Sequence, residues 1–289
     1  MTNSTDLSRT VLIVPPNDAE AIQISQIAQK MQLPVILSKQ THGASLDQGR
    51  NYLAQVKAGG YKRVVVVEMP GPKSEARLKK MGIELILIDH HHYTGLDRAH
   101  DEKTGKMLPS SLEQFLKLFR LTDKKLTSLG FHPRLVHAIG IHDRGFIWAL
   151  QDEGYSKKEI REFLKYHDGL LAQIQSPRTE KRKQLIAHNA WKRRTRWSTY
   201  FIVETEADIQ LRPRLSRIVA LEIGKPTALI IVERKRGLIY VQESDHAMKL
   251  FRTFGGFTFG QDRNWGYRNE KGKKRVWLKE VKTVLNEKT

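Results

Sequence analysis

"LILIDHHHYTGLDR", residues 85–98, opens with an apolar run that stops on Asp89 and three consecutive histidines, His90, His91 and His92. Consecutive apolar residues read as a strand buried on both faces, because a strand with one wet face would alternate. An acid and several imidazoles at the end of such a strand are chemically loaded, since both side chains bind divalent cations. A lone Asp-His pair is common. Three histidines directly after an apolar strand are far rarer.

The same alternation fills the first half of the chain. "TVLIVP" (10–15), "PVILS" (34–38), "KRVVVVEMP" (62–70) and "IELILID" (83–89) predict strands. Residues 18–31, 46–60 and 73–82 between them predict helices. In the first of these, Asp18 stands at the N-cap and Ala21, Ile24, Ile27 and Ala28 share a face. Apolar strands separated by helices predict a parallel sheet covered on both faces, with its chemistry at the carboxyl ends of the strands. Residues 109–175 read as mostly helical. From Ser198 the pattern changes to strands, at "STYFIVET", "LSRIVALEI", "TALIIVER" and "GLIYVQES", followed by a helix-like "DHAMKLFRTF" and a glycine-rich turn. The chain therefore divides into an N-terminal parallel-sheet domain over 1–177, a basic helical connector over 178–197, and a smaller C-terminal α/β domain over 198–289.

The 289 residues carry 50 Lys+Arg against 31 Asp+Glu, a formal charge of +19. Such an excess points to a polyanionic partner, most simply nucleic acid. It is concentrated in two places. Residues 178–196 hold eight Lys/Arg and one acid, and residues 247–289 hold eleven against four. The second stretch also interleaves aromatic rings, which suits a single strand whose phosphates pair with cations and whose bases stack. There is no cysteine, so any metal must be held by His, Asp or Glu. No run approaches the length of a membrane span and the N-terminus has no apolar signal core. The expectation is a cytoplasmic protein with no membrane partner.

Acids and histidines recur where strands end. Asp18 and Glu20 follow the first strand, Glu68 the third, Asp89 to His92 the fourth, and His142 and Asp143 lie in the later "GIHDRG". In a parallel sheet these places converge on one rim. Oxygen and imidazole donors together suit manganese or magnesium, and two such ions about 3.5–4 Å apart can serve phosphoester hydrolysis.

"IDHH" after an apolar strand resembles the defining motif of the DHH phosphoesterase superfamily, and the order of segments agrees with that family over nearly the whole chain. The resemblance implies a manganese-bearing N-terminal domain and a C-terminal domain whose glycine-rich loop grips substrate. It implies Mn2+ or Mg2+, one or two ions, held by Asp18, Glu20, Glu68, His90 and Asp143. It matches Asp89 and places His91 toward the phosphate or a metal-bound water; in a hydrolytic reading His91 and Arg144 would stabilise charge on the phosphoryl oxygens. Gly255 and Gly256, with Gly260 nearby, would form the substrate loop, and Arg252 and Arg263, which flank it, could pair with phosphates. Departures are visible. Pro16 stands where the family has a ligand histidine, Glu20 and Glu68 replace shorter aspartates, and Phe257 and Thr258 occupy the place of a histidine after the glycines. His92 lies outside the motif.

Three functions follow as expectations. The first is a metal-dependent phosphodiesterase or exonuclease acting on single-stranded or short nucleic acid, RNA or DNA. The second is a DHH-like scaffold that binds nucleic acid without hydrolysing it. The third is a small-nucleotide phosphatase, for which the +19 surface has no use.

Overall fold

A computed structural model describes residues 7–41, 43–49, 51–91, 101 and 103–286. His92 and the rest of 92–100 lie outside the described residues. These residues form two compact units. The first takes in 7–90, 101–144 and 153–174, and the second takes in 91, 145–152 and 175–286.

The first unit begins with β1 (Thr10–Val14), α1 (Ala19–Lys30), β2 (Val35–Leu37), α2 (Tyr52–Ala58), β3 (Arg63–Val67), α3 (Pro72–Lys80) and β4 (Glu84–Ile88). The four strands form a wholly parallel sheet in the order β2-β1-β3-β4. Val11 to Val14 and Val64 to Val66 are completely buried, which is why these strands read as unbroken apolar runs. Ile13 lies opposite Val66, and Val67 opposite Ile88, so β1, β3 and β4 end side by side. Five helices belong to the stretch that follows: α4 (Ser111–Leu118), α5 (Asp123–Ser128), α6 (Pro133–Asp152), α7 (Lys157–Leu171) and α8 (Pro177–Lys192). The helix expected over 46–60 is shorter: residues Leu46–Gln48 form a single 3-10 turn, and α2 starts only after Asn51, whose φ is +71°.

Helix α6 is interrupted. Gly145 and Phe146 leave helical geometry, and Phe146 sits at φ +62°. A bulky residue with positive φ is strained by about 1 kcal/mol or more. Residues 145–152 beyond the break belong to the second unit, where the Trp148 indole hydrogen-bonds Glu243.

The second unit is built on β5 (Thr195–Trp197), β6 (Tyr200–Thr205), β7 (Leu229–Glu233), β8 (Leu238–Gln242), β9 (Phe257–Phe259) and β10 (Asn264–Arg268). Their order is β5-β6-β7-β8-β10-β9, with β6 and β7 parallel and the other pairs antiparallel. One face packs on α10 (Ala247–Phe254) and α11 (Leu278–Asn286) around Trp265. The other packs on α8 and α9 (Arg212–Ile223) around Trp191. Helix α9 corrects a sequence expectation, because "LSRIVALEI" had read as a strand. Its buried residues, Leu215, Ile218 and Val219, fall at helical spacing, Pro213 stands in its first turn and Gly224 closes it at φ +73°. The isoleucine and valine content had suggested a strand where tertiary packing favours a helix.

The glycine-rich segment is not only a turn. Gly255 ends α10 and gives its N–H to the Phe251 carbonyl, and β9 follows and pairs with β10. Gly256 has φ +91°, and a Cβ there would lie 2.3 Å from the Gly266 oxygen. Only glycine allows that approach.

Candidate metal centre

The rim formed by β1, β3 and β4 carries four of the sequence candidates in one cluster. Glu20, Glu68, His90 and Asp143 each present a donor atom, and these atoms lie within 4.8 Å of one another. Glu20 comes from the first turn of α1, which starts after β1; it is 3% exposed. Glu68 follows β3 in the left-handed region, at φ +49°, with its N–H bonded to the Ile88 carbonyl. His90 follows β4 and is 1% exposed. Asp143 arrives from α6, just before that helix breaks, and is partly exposed. The His90 Nε2 lies 2.9 Å from Asp143 Oδ2 and 3.3 Å from Glu68 Oε1.

Helix α4 holds two of these carboxylates from its N-terminus. The Leu112 N–H donates to Glu20 Oε1 at 2.9 Å, and the Ser111 hydroxyl donates to Glu68 Oε1 at 2.7 Å. Ser110 and Glu113 close a reciprocal capping box beneath them. The first N–H groups of a helix have no partners within the helix and its dipole favours negative charge there, so this end stabilises buried acids. Ser111 and Leu112 were not among the sequence candidates. The "SSLE" of residues 110–113 did announce the cap, but nothing in it says which distant acids the cap would meet.

The other candidates are placed as follows. Asp18 caps α1, accepting the Ala21 N–H at 2.8 Å, and is not part of the four-residue cluster. The Asp89 carbonyl accepts from the Gln114 side chain. His91 is the next residue after His90 and is grouped with the second unit. Arg144 donates to Glu153 at 2.6 Å and lies 3.5 Å from Glu113, so two carboxylates flank its guanidinium. In the second unit, Gly255, Gly256 and Gly260 all have positive φ around β9. Arg252 is exposed on α10, and Arg263 lies 3.4 Å from Glu243.

Electrostatics fit the four-residue cluster to a cation. Burial, followed by the charges of Asp143 and Glu68, pushes the Glu20 carboxyl well above its ordinary value. Burial alone would pull the His90 imidazole down, but hydrogen bonds to Asp143 and Glu68 and the charges of Asp143 and Glu20 outweigh it. The result is a pKa raised to about 12. Three acids around one imidazole must therefore hold a positive charge among them. Glu20 Oε2 is buried and has no hydrogen-bond donor among the described residues. Three carboxylates and one imidazole are the donor set of manganese or magnesium rather than of a thiophilic metal.

Because both pKa values are raised, the stabilisation they give is complete at low pH. It is lost as pH climbs through the folded values, for His90 from about 6.5 up to about 12. Without metal, stability is expected to fall steadily between pH 7 and pH 9, by at most about 1.4 kcal/mol per pH unit for each proton. Saturating manganese should flatten the profile, because the cation replaces the proton. Melting curves with EDTA and with manganese test this, and a level profile in EDTA would refute it.

No family model matches the sequence, and no curated protein matches it. Solved structures do. The DHH domain of a protein described as a member of a family of ribosomal proteins aligns with 98% of this chain and 88% of its own, at 13% identity and a TM-score of 0.56. The chain has the DHH fold. An exopolyphosphatase-related protein from Bacteroides fragilis covers 96% of this chain and 91% of its own at 11% identity, with a TM-score of 0.49. The exonuclease RecJ bound to manganese covers 91% and 86% at 11% identity, with a TM-score of 0.44. The DHH fold expected from "IDHH" is thus present, with the parallel sheet first and the mixed sheet second. Among the described residues, no helix is long and apolar enough to cross a membrane.

Proposed function

We propose that the chain is a divalent-metal-dependent phosphodiesterase acting on single-stranded or short nucleic acid. The observation that carries this reading is the cluster of Glu20, Glu68, His90 and Asp143 at the rim of the parallel sheet. These four residues would hold one ion. When bound, a divalent ion supplies Lewis-acid polarisation of a phosphoryl oxygen and a more acidic water. The chain's own residues do the positioning. Ser111 and Leu112 fix Glu68 and Glu20, and Arg144 ties Glu113, and so the start of α4, to the helix that carries Asp143. His91, directly after the ligand His90, is assigned to the phosphate. The paired glycines 255 and 256, with Arg252 and Arg263, are assigned to the rest of the strand.

A single ion agrees with the first motif as it stands. Pro16 offers no side-chain ligand, and Asp18 is engaged as a helix cap. The same two facts favour a second reading, in which metal and nucleic acid are bound but not turned over. One experiment separates them. An end-labelled single-stranded oligonucleotide, in RNA and DNA forms, is incubated with the protein and either manganese or EDTA, beside Asp143→Ala. The enzyme reading expects manganese-dependent shortening that the variant loses by at least about a hundredfold. Salt-sensitive binding with no shortening would establish the second reading instead.

A further inference from the structure

We propose that the β5 edge of the second unit is a separate binding surface for single-stranded nucleic acid. This rests on the reading that the substrate is a strand, and it names where a long strand is held. Strand β5 is the outer strand of its sheet, bonded among the described residues only to β6. Helix α8 runs directly into it, so Lys192, Arg193, Arg194 and Arg196 fall within five residues, all exposed. Lys282 of α11 stands 5.1 Å from the centre of the Trp197 ring, which brings α11 to the same edge. Trp277 precedes α11 and follows Val276, which Asn269 holds beyond the end of β10, so it lies inward of the edge along α11. It is 56% exposed, with the Arg275 guanidinium 5.2 Å from its ring.

Two features separate this edge from an ordinary basic surface. First, its charge is uncompensated. Elsewhere in the unit Arg214 pairs with Glu180, Arg234 with Glu204 and Arg236 with Glu233. Lys192, Arg193, Arg194, Arg196, Arg275 and Lys282 form no ion pair with a carboxylate among the described residues. Their counterions stay in solution and are released when a polyanion replaces them. Second, the cations alternate with rings. Cations alone on an outer strand would guard against edge-to-edge pairing, but such a guard gives no reason for an exposed tryptophan. Bases stack on such a ring whatever their sequence. A recess of about 340 Å³ opens against α8 beside Ile186, Asn189, Lys192 and Arg193, with room for a base or sugar.

The glycine turn adjoins β9, at the opposite edge of the six-stranded sheet. Five strand spacings separate the two edges, about 24 Å. At the about 3.4 Å per nucleotide of a fully stacked strand, roughly seven nucleotides span that distance, and even an extended strand needs more than a dinucleotide. The β5 edge would therefore favour long strands over dinucleotides.

The test uses the full chain in EDTA and a fluorescent 20-nucleotide single strand, with affinity measured at several salt concentrations. Lys192→Gln/Arg193→Gln/Arg196→Gln is expected to bind at least tenfold more weakly, with the salt slope reduced by about 2. Trp277→Ala, an exposed position that leaves the core intact, is expected to lose fivefold or more with the slope unchanged. If both variants bind within twofold of the parent, the surface is refuted while the nucleic-acid reading stands. If the parent itself binds no strand at low salt, both fail. A duplex competitor as effective as the strand, with Trp277→Ala unaffected, would refute the single-strand assignment.

Discussion

Glu20→Gln is expected to raise the melting temperature of the metal-free protein by several degrees while lowering its manganese affinity at least a hundredfold. Both effects come from one carboxylate. Glu20 is buried beside Asp143, Glu68 and His90, and its pKa is driven up by burial first and by those acids second. A carboxyl with a raised pKa destabilises the fold as pH rises past its ordinary value, so removing the charge helps most at alkaline pH. The amide oxygen of glutamine can still accept the Leu112 N–H, so the cap bond survives. A buried polar atom without a partner, as Glu20 Oε2 is among the described residues, costs about 1–3 kcal/mol and more when charged, so the gain should be larger at pH 8 than at pH 5. The neutral amide is a poor ligand, and losing a direct ligand should exceed the roughly ten- to hundredfold effect of losing an outer hydrogen-bond partner. Calorimetry for manganese and melting curves in EDTA read the two arms. Unchanged manganese binding, or a lower melting temperature at both pH values, would show that this carboxylate does not belong to a cation site.

Trp265→Ala is expected to destabilise the second unit by about 3–5 kcal/mol and to loosen the glycine turn. Trp265 is completely buried, stacks on Tyr267 at 6.1 Å between ring centres and packs against Phe254. Its indole donates to the Gly255 carbonyl at 2.8 Å, so the ring also anchors the end of α10 where β9 begins. Trp265→Phe keeps most of the packing and drops only that bond, and should lose far less. Urea unfolding of the two variants measures the difference. A loss below about 1 kcal/mol for the alanine variant would mean that the pocket closes over the gap.

The parallel sheet was legible because its strands are buried on both faces and bounded by helices that carry caps. Asp18, read as an N-cap from its position alone, does cap α1. The four clustered residues were all nameable, because strand ends in such a sheet share a rim. The sequence could not show how the acids are held. The bond from Leu112 to Glu20 spans 92 positions, and no local pattern encodes it. Arg144 read as a partner for phosphoryl oxygens, and no local pattern showed that Glu113 and Glu153 would flank its guanidinium. The second unit was read less well. Residues 215–223 were misassigned by composition, and the β9–β10 pair was hidden by glycines that suggested only a turn.

The break in α6 bears on how such a protein can be inherited. Because residues 145–152 leave the first unit and the Trp148 indole is spent on Glu243, the second unit is not one continuous stretch of the chain. A gene fragment starting at residue 175 would encode the six-stranded sheet without that indole, leaving a buried acid short of a donor. A single junction at residue 175 therefore passes every part of the first unit but strips the second of residues 145–152. The second unit can be inherited whole only with a part of the first.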